Sequence, residues 1–289
     1  MAQVDNPGAQ SDGMEDLEPI FQRTRAQHKW RARVAGLLYP AGVVLAVLVL
    51  WEAGTRLLAV PAFLLPPPTA VAASFIANTS LLAFHAWVTA AEILLGFALS
   101  IVVGIPLALA IFLWPAFSRS ILPLLVSSQA MPKVAVAPLF LVWFGFGLLP
   151  KVLIAFLIAF FPIVINTAVG LAAIEPEKIY LARSMGFGAT ATFFKIRLPN
   201  ALPAIFGGLK ISITLAVVGA VVGEFVGGDA GLGYLLMVAN GSMDTQLLFA
   251  GIVALTVLGV VFFLLIELAE RLAIPRHISA GDKGIREAV

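Results

Sequence analysis

The chain has 289 residues, 61% of them hydrophobic and 12% charged, with no cysteine. Its mean hydropathy is +1.02, more apolar than a soluble domain at ~45–50% apolar residues, so a multi-spanning membrane protein is expected. A net charge of +2 scattered over several loops argues against a nucleic-acid partner, and disulfides and thiolate metal sites are excluded.

Residues 1–20 are rich in Asp, Glu, Gly and Gln without periodicity, which predicts a disordered tail. Arg23, Arg25, Lys29, Arg31 and Arg33 then form a basic cluster, read as a topology determinant or as a lipid or partner contact. The first apolar run is too long for a cleavable signal peptide and reads as a retained span over Val34–Trp51. Pro61 and Pro66–Pro68 make an extended elbow, and a short helix over Thr69–Ala77 is expected with Thr69 as its cap. The second span, Ala86–Trp114, carries Glu92 and places Gly96, Ser100 and Gly104 on one face, where another helix can approach. The third, Ser120–Phe144, is interrupted by Pro132 and Pro138; the fourth, Val152–Ile174, holds Pro162 and Asn166. The fifth runs from after Pro203 to Gly223 and the sixth over Leu247–Leu268, each near the ~20 residues that a ~30 Å hydrocarbon core requires.

Between spans four and five lies the longest polar interruption after the N-terminal tail, residues 176–210, with Lys178, Arg183, Lys195, Arg197 and Lys210 among apolar positions. Pro176 suits a helix start, Glu177–Met185 are good helix formers, and Gly186 and Gly188 supply a break. A second helix over Ala189–Ile196 is expected to stop before Pro199. Such a helix–turn–helix can lie on a membrane surface or dock on a partner protein.

The segment carries Ala182, Gly186 and Ile196-x-Leu198-Pro199 at a spacing that resembles the cytoplasmic EAA loop of permease subunits of binding-protein-dependent ABC importers. Tyr180 and Leu181 stand where that family often has Glu and Ala. The stretches 130–147, 160–170 and 223–236 are similar to the subgroup importing nitrate, sulfonates and taurine; the likeness covers Leu64–Arg271. It implies an all-α integral membrane protein of about six spans with the type I importer permease fold, divided into a cytoplasmic tail (1–33), a transmembrane domain (34–270) with its coupling loop at 176–200, and a second cytoplasmic tail (271–289). It also implies a homodimer in the plasma membrane, two ATPase subunits bound from the cytoplasm and an external solute-binding protein. The cargo would be a small anion of the nitrate, sulfonate or taurine kind, or alternatively a pyrimidine vitamin precursor or an aromatic acid. Ala182, Arg183, Gly186, Ile196, Leu198 and Pro199 would contact the ATPase.

The chain has no Gly-x4-Gly-Lys-Ser/Thr run, so ATP and Mg are expected on the partner ATPase and no cofactor on this chain. His28, His85 and His277 are isolated, which argues against a metalloprotease. An autonomous secondary transporter or channel is the competing class, since Glu92 and Lys133 are ionisable residues within spans and the prolines break helices.

Basic flanks at the N-terminus, at Arg119, at 176–210 and after Arg271 put both termini and the EAA-like loop in the cytoplasm; Lys151, in a turn assigned outside, is the exception. Lys133, Glu92 and Asn166 are the candidates for the translocation path, Lys133 either as a waypoint for an anion or as the partner of Glu92. The stretch 223–243 has no Lys or Arg, and Glu224, Asp229, Gly231, Leu232 and Gly233 are expected to form an external gate and binding-protein contact, or else a plain solvent loop.

Overall fold

A computed structural model describes residues 38–39 and 41–274. The expected N-terminal tail with its basic cluster, the opening residues of the expected first span and the chain from 275 onward lie outside the described residues. Two units are distinguished, Met1–Thr69 and Ala70–Val289.

In the first unit, helix α1 covers 41–57 and leads through the proline elbow to the start of α2, Pro68–Ala77. Because Pro68 opens α2, Thr69 already stands inside the first turn and does not cap it. The cap is Glu52: one carboxylate oxygen accepts the Thr69 backbone N–H at 3.1 Å and the other its hydroxyl at 2.9 Å. Arg56, one turn after Glu52, holds that carboxylate at 2.6 Å. A carboxylate there meets the unsatisfied N–H groups and the positive end of the helix dipole.

Among the described residues of the second unit every regular element is helical. Its elements are α3 (Thr79–Leu113), α4 (Pro115–Gln129), α5 (Lys133–Phe144), α6 (Leu148–Ala172), α7 (Pro176–Ser184), α8 (Ala189–Thr192), α9 (Leu198–Gly227), α10 (Leu232–Gly241) and α11 (Thr245–Ala273). Four stretches are long and apolar enough to cross a membrane: α3, α6, 189–227 and α11. Each is longer than expected, although α3 and α6 end one and two residues before the expected Trp114 and Ile174. The third expected span is instead a broken one, since α4 and α5 meet at 96°. Pro132 sits at that bend with extended backbone, while Pro138 lies inside α5 without ending it.

Helix α6 is the centre of the packing. Ile93, Phe97, Ala159, Ile163, Ile205, Leu209 and Ile213 share one buried cluster from α3, α6 and α9. The face expected on α3 is real: a β-carbon on Gly96 would lie 2.6 Å from the Ala155 side chain, Ser100 donates to the Phe156 carbonyl at 3.3 Å, and Gly104 adjoins Ile163. From the other side, a β-carbon on Gly219 of α9 would lie 2.5 Å from the Ala155 Cα. Ala155 is thus gripped between two backbones, the close approach that small residues permit where lipid supplies no hydrophobic drive. Outward-facing Val102, Leu124, Val142 and Val257 remain exposed, as suits side chains that meet lipid.

The chain does not stop before Pro199. After α8 it widens into a π-turn over Phe193–Arg197, in which the Leu198 N–H reaches back to the Phe193 carbonyl, and runs on as α9. Pro199 cannot donate to the Lys195 carbonyl and its ring would press on it; the wider turn accommodates both. Pro203, expected ahead of the fifth span, is likewise inside α9.

Candidate functional site

Two places gather polar chemistry, one at each end of the long helices. At the first, α3 presents His85, Thr89 and Glu92 at i, i+4 and i+7, one helical face. Glu92 is fully buried and accepts from the Lys151 ammonium at 2.9 Å, and Lys151, on the first turn of α6, is 3% exposed. Lys151 also reaches Asp229 at 3.4 Å, in the turn after α9. Glu224, at the end of α9, is buried too; it accepts the Thr89 hydroxyl at 2.6 Å and the backbone N–H of Gly233. Thr89 in return accepts the Leu232 N–H at 2.7 Å, and the His85 Nδ1 accepts the Gly231 N–H at 3.0 Å.

This clasp ties the 228–231 turn and the first turn of α10 to α3 and α9. Gly231 has φ +115°, and a β-carbon there would collide with the Glu224 carboxylate, so only glycine lets the turn close over it. Three otherwise orphaned N–H groups at the start of α10 are satisfied by side chains. Hydrogen bonding from its own backbone N–H and the Lys151 ammonium hold the exposed Asp229 carboxyl below its ordinary pKa.

The sequence expectations are corrected here in three respects. Glu92 pairs with Lys151, not with Lys133, which sits at the α4–α5 bend and bonds to the Gln129 side chain one turn back. Lys151 belongs to α6 and faces inward, so it does not count as a loop charge in the topology argument. Of the five expected gate residues only Asp229 is exposed; Glu224, Gly231, Leu232 and Gly233 are buried and hold the turn from beneath. Asn166 donates to the Pro162 carbonyl at 2.9 Å and packs where Gly208 of α9 crosses α6. Thr89 was not singled out from the sequence, and His85 and Lys151 were named there only as an isolated histidine and an exceptional loop charge, not as members of a site. The available signal was Lys151 itself, a lone cation in an apolar stretch with an equally lone Glu92 59 residues before it.

At the other end, α7 begins with Pro176 and closes in a Schellman motif. The Phe187 N–H bonds the Ala182 carbonyl and the Gly186 N–H the Arg183 carbonyl, both at 3.0 Å, with Gly186 at φ +82°. Ala182 turns inward, whereas Tyr180, Leu181, Met185 and Phe194 are all more than 60% exposed beside exposed Arg183. Ile196, Leu198 and Pro199 are half-buried in the π-turn and the start of α9. Arg197 anchors this segment: its guanidinium lies over the Phe112 ring of α3 at 5.0 Å and donates to the Leu171 carbonyl of α6 at 3.2 Å. An exposed apolar face thus stands on a stem that is continuous with α9.

Residues 96–276 match the family described as binding-protein-dependent transport system inner membrane component. The chain is 40% identical over 257 residues to the riboflavin transport system permease protein RibX of Chloroflexus aurantiacus, covering 88% of this chain and 95% of the relative. It is 38% identical over 239 residues to the formylaminopyrimidine transport permease protein ThiX of Halalkalibacterium halodurans, covering 82% and 95%. A solved structure of the MetNI methionine ABC transporter in an inward-facing conformation superimposes with a TM-score of 0.60 at 20% identity, over 68% of this chain and 98% of that one. That likeness establishes a shared fold.

Proposed function

Because the chain belongs to the family of binding-protein-dependent transport system inner membrane components, we propose that it forms, as a homodimer, the translocation path of an ATP-driven importer, with two ATPase subunits docked on its cytoplasmic face and a solute-binding protein on the other. The observation that carries this reading is the segment 176–197: a glycine-closed helix offers Tyr180, Leu181 and Met185 with Arg183 to a partner, and Arg197 clamps the same segment to α3 and α6. Both termini and this segment are assigned to the cytoplasm. Closure of the ATPases would pull the paired segments together, and the unbroken run from the π-turn into α9 passes the displacement to the opposite end, since packed helices move as bodies.

Substituting Gly186→Asp or Arg183→Glu is expected to leave the permease inserted while releasing the ATPase or uncoupling its turnover. Normal copurification and normal stimulated turnover in both variants would refute the assignment.

For the cargo, the names of the two relatives support a nitrogen heterocycle of the vitamin-precursor kind. A second reading, a nitrate-, sulfonate- or taurine-like anion, is favoured by Lys133: it stands at the 96° bend with exposed Ser127, Ser128 and Met131, where a path-lining cation could serve as a waypoint. Lys133→Met separates the two, because loss of anion uptake with intact assembly and ATPase activity supports the waypoint and unchanged uptake removes it.

A further inference from the structure

Beside the clasp lies an open cavity of about 580 Å³ whose wall includes Phe146, Phe225, Asp229, Tyr234, Met237 and Val238. The size is that of a small-molecule site, roughly 300–1,000 Å³. Its three aromatic rings come from three separate elements: Phe146 from the turn between α5 and α6, Phe225 from α9 and Tyr234 from α10. Phe146 is 83% exposed between Gly145 and Gly147, yet the same cavity reaches the Asp229 carboxylate, which is 88% exposed. An exposed carboxylate is unsuited to lipid tails, so the aromatic lining faces a polar, wet opening.

The lining chemistry selects among solutes. Aromatic walls bind flat π-systems, and Asp229 and the backbone carbonyls accept from N–H donors. Among the described lining residues there is no Lys or Arg. The nearby Lys151 ammonium is already engaged by Glu92 and Asp229, and Glu224 has both oxygens occupied by Thr89 and Gly233. An anion entering here would find no counter-charge and would approach Asp229.

We propose that this cavity is a selectivity site on the translocation path that accepts a planar heteroaromatic solute bearing exocyclic N–H donors, stacked on Phe146, Phe225 and Tyr234 with its amine at Asp229, and discriminates against sulfonates. The inference rests on the importer reading. Its position beside the locked 228–231 turn gives the clasp a purpose, because the Glu224–Gly233 bond holds the first turn of α10, which carries Tyr234, against the end of α9, which carries Phe225.

The absence of native cysteine makes the test direct. Val238→Cys, on the cavity wall, is introduced into the full chain in lipid nanodiscs, and its modification by a hydrophilic maleimide is timed alone, with 4-amino-2-methylpyrimidine and with taurine. The aminopyrimidine is expected to slow labelling several-fold and taurine to leave it unchanged. In the same background Tyr234→Ala and Phe146→Ala should each abolish protection, while Tyr234→Phe retains it; Phe146 is exposed enough for its removal to spare folding. Equal protection by taurine, protection that survives both alanine variants, or no protection overturns the proposal. So does a cysteine that never reacts, the result expected if lipid or a second copy fills the cavity. ATPase coupling in the Gly186→Asp experiment is read independently: coupling with no protection removes this inference alone, whereas a failed coupling assignment removes the reading beneath it.

Discussion

The two ends of the molecule handle polar groups in opposite ways. At the clasp, Glu92, Lys151, Glu224 and Thr89 are buried, and their partners come from different helices, 59 residues apart for Glu92 and Lys151 and 135 for Thr89 and Glu224. Around 176–197, hydrogen bonds such as Phe187 to Ala182 and Thr192 to Gly188 close locally, and the large side chains stay outside. Long-range buried bonds lock elements together, whereas local ones let a short helix keep its shape with little support from its surroundings. The clasped end holds a turn in place, and the opposite end keeps a short helix with its large side chains outside.

Removing one partner of the buried ion pair should break the contrast most severely. Lys151→Met leaves the Glu92 carboxylate buried without its cation, a change costing about 3–5 kcal/mol, seen as a large drop in the unfolding midpoint of the detergent-purified chain. Glu92→Gln combined with Lys151→Met should recover most of the loss; if the double variant is no better than the single, the pairing is not what Lys151 provides. Thr89→Val comes next, at about 1–3 kcal/mol, because Glu224 loses a donor and the Leu232 N–H its acceptor. Hydrogen exchange should quicken at residues 231–233 before anywhere else.

At the 176–197 end the expected effect is smaller and local. Gly186→Ala forces a β-carbon into the left-handed region, about 1–2 kcal/mol, and should speed exchange across 182–187 with the global unfolding midpoint little moved. An equal fall in global stability would mean that the segment is as tightly integrated as the clasp.

Acid provides the mildest probe. The Asp229 carboxyl is depressed in the folded protein, so its contribution is fully present above its unfolded pKa of about 4 and is lost as pH falls through the lower folded value. From pH 8 to pH 5 this group should therefore leave the midpoint flat, and Asp229→Asn should flatten only the limb below roughly pH 4. The difference is small, because an exposed pair is weakened by solvent screening.

Much of the frame was legible in the sequence. The helix from Pro176, the break at Gly186 and the Gly96–Ser100–Gly104 face follow from local rules that the structure obeys. Proline was the less dependable guide: Pro132 marks a sharp bend, but Pro138, Pro199 and Pro203 lie within continuing helices, and at Pro199 the preceding π-turn relieves the clash that a single residue's preference suggests. The clasp was out of reach for a different reason. Its pairs join α3 to α6 and α3 to α9, and spacing along the chain carries no information about which helices touch. Lys151 therefore registered as a stray loop charge, and Glu224 as a surface acid beside glycines that serve to enclose it.

The separation of Glu92 from Lys151 also sets a problem of timing. The carboxylate is synthesised 59 residues ahead of its cation, which at ~5–20 residues per second is a wait of about 3–12 s. A lone charge in the bilayer is penalised by about 2.5–3.5 kcal/mol on insertion scales. An order of biogenesis in which α3 lingers beside the insertion machinery until α6 emerges, and the two enter lipid together as a neutralised pair with α4 and α5 between them in the chain, avoids that penalty.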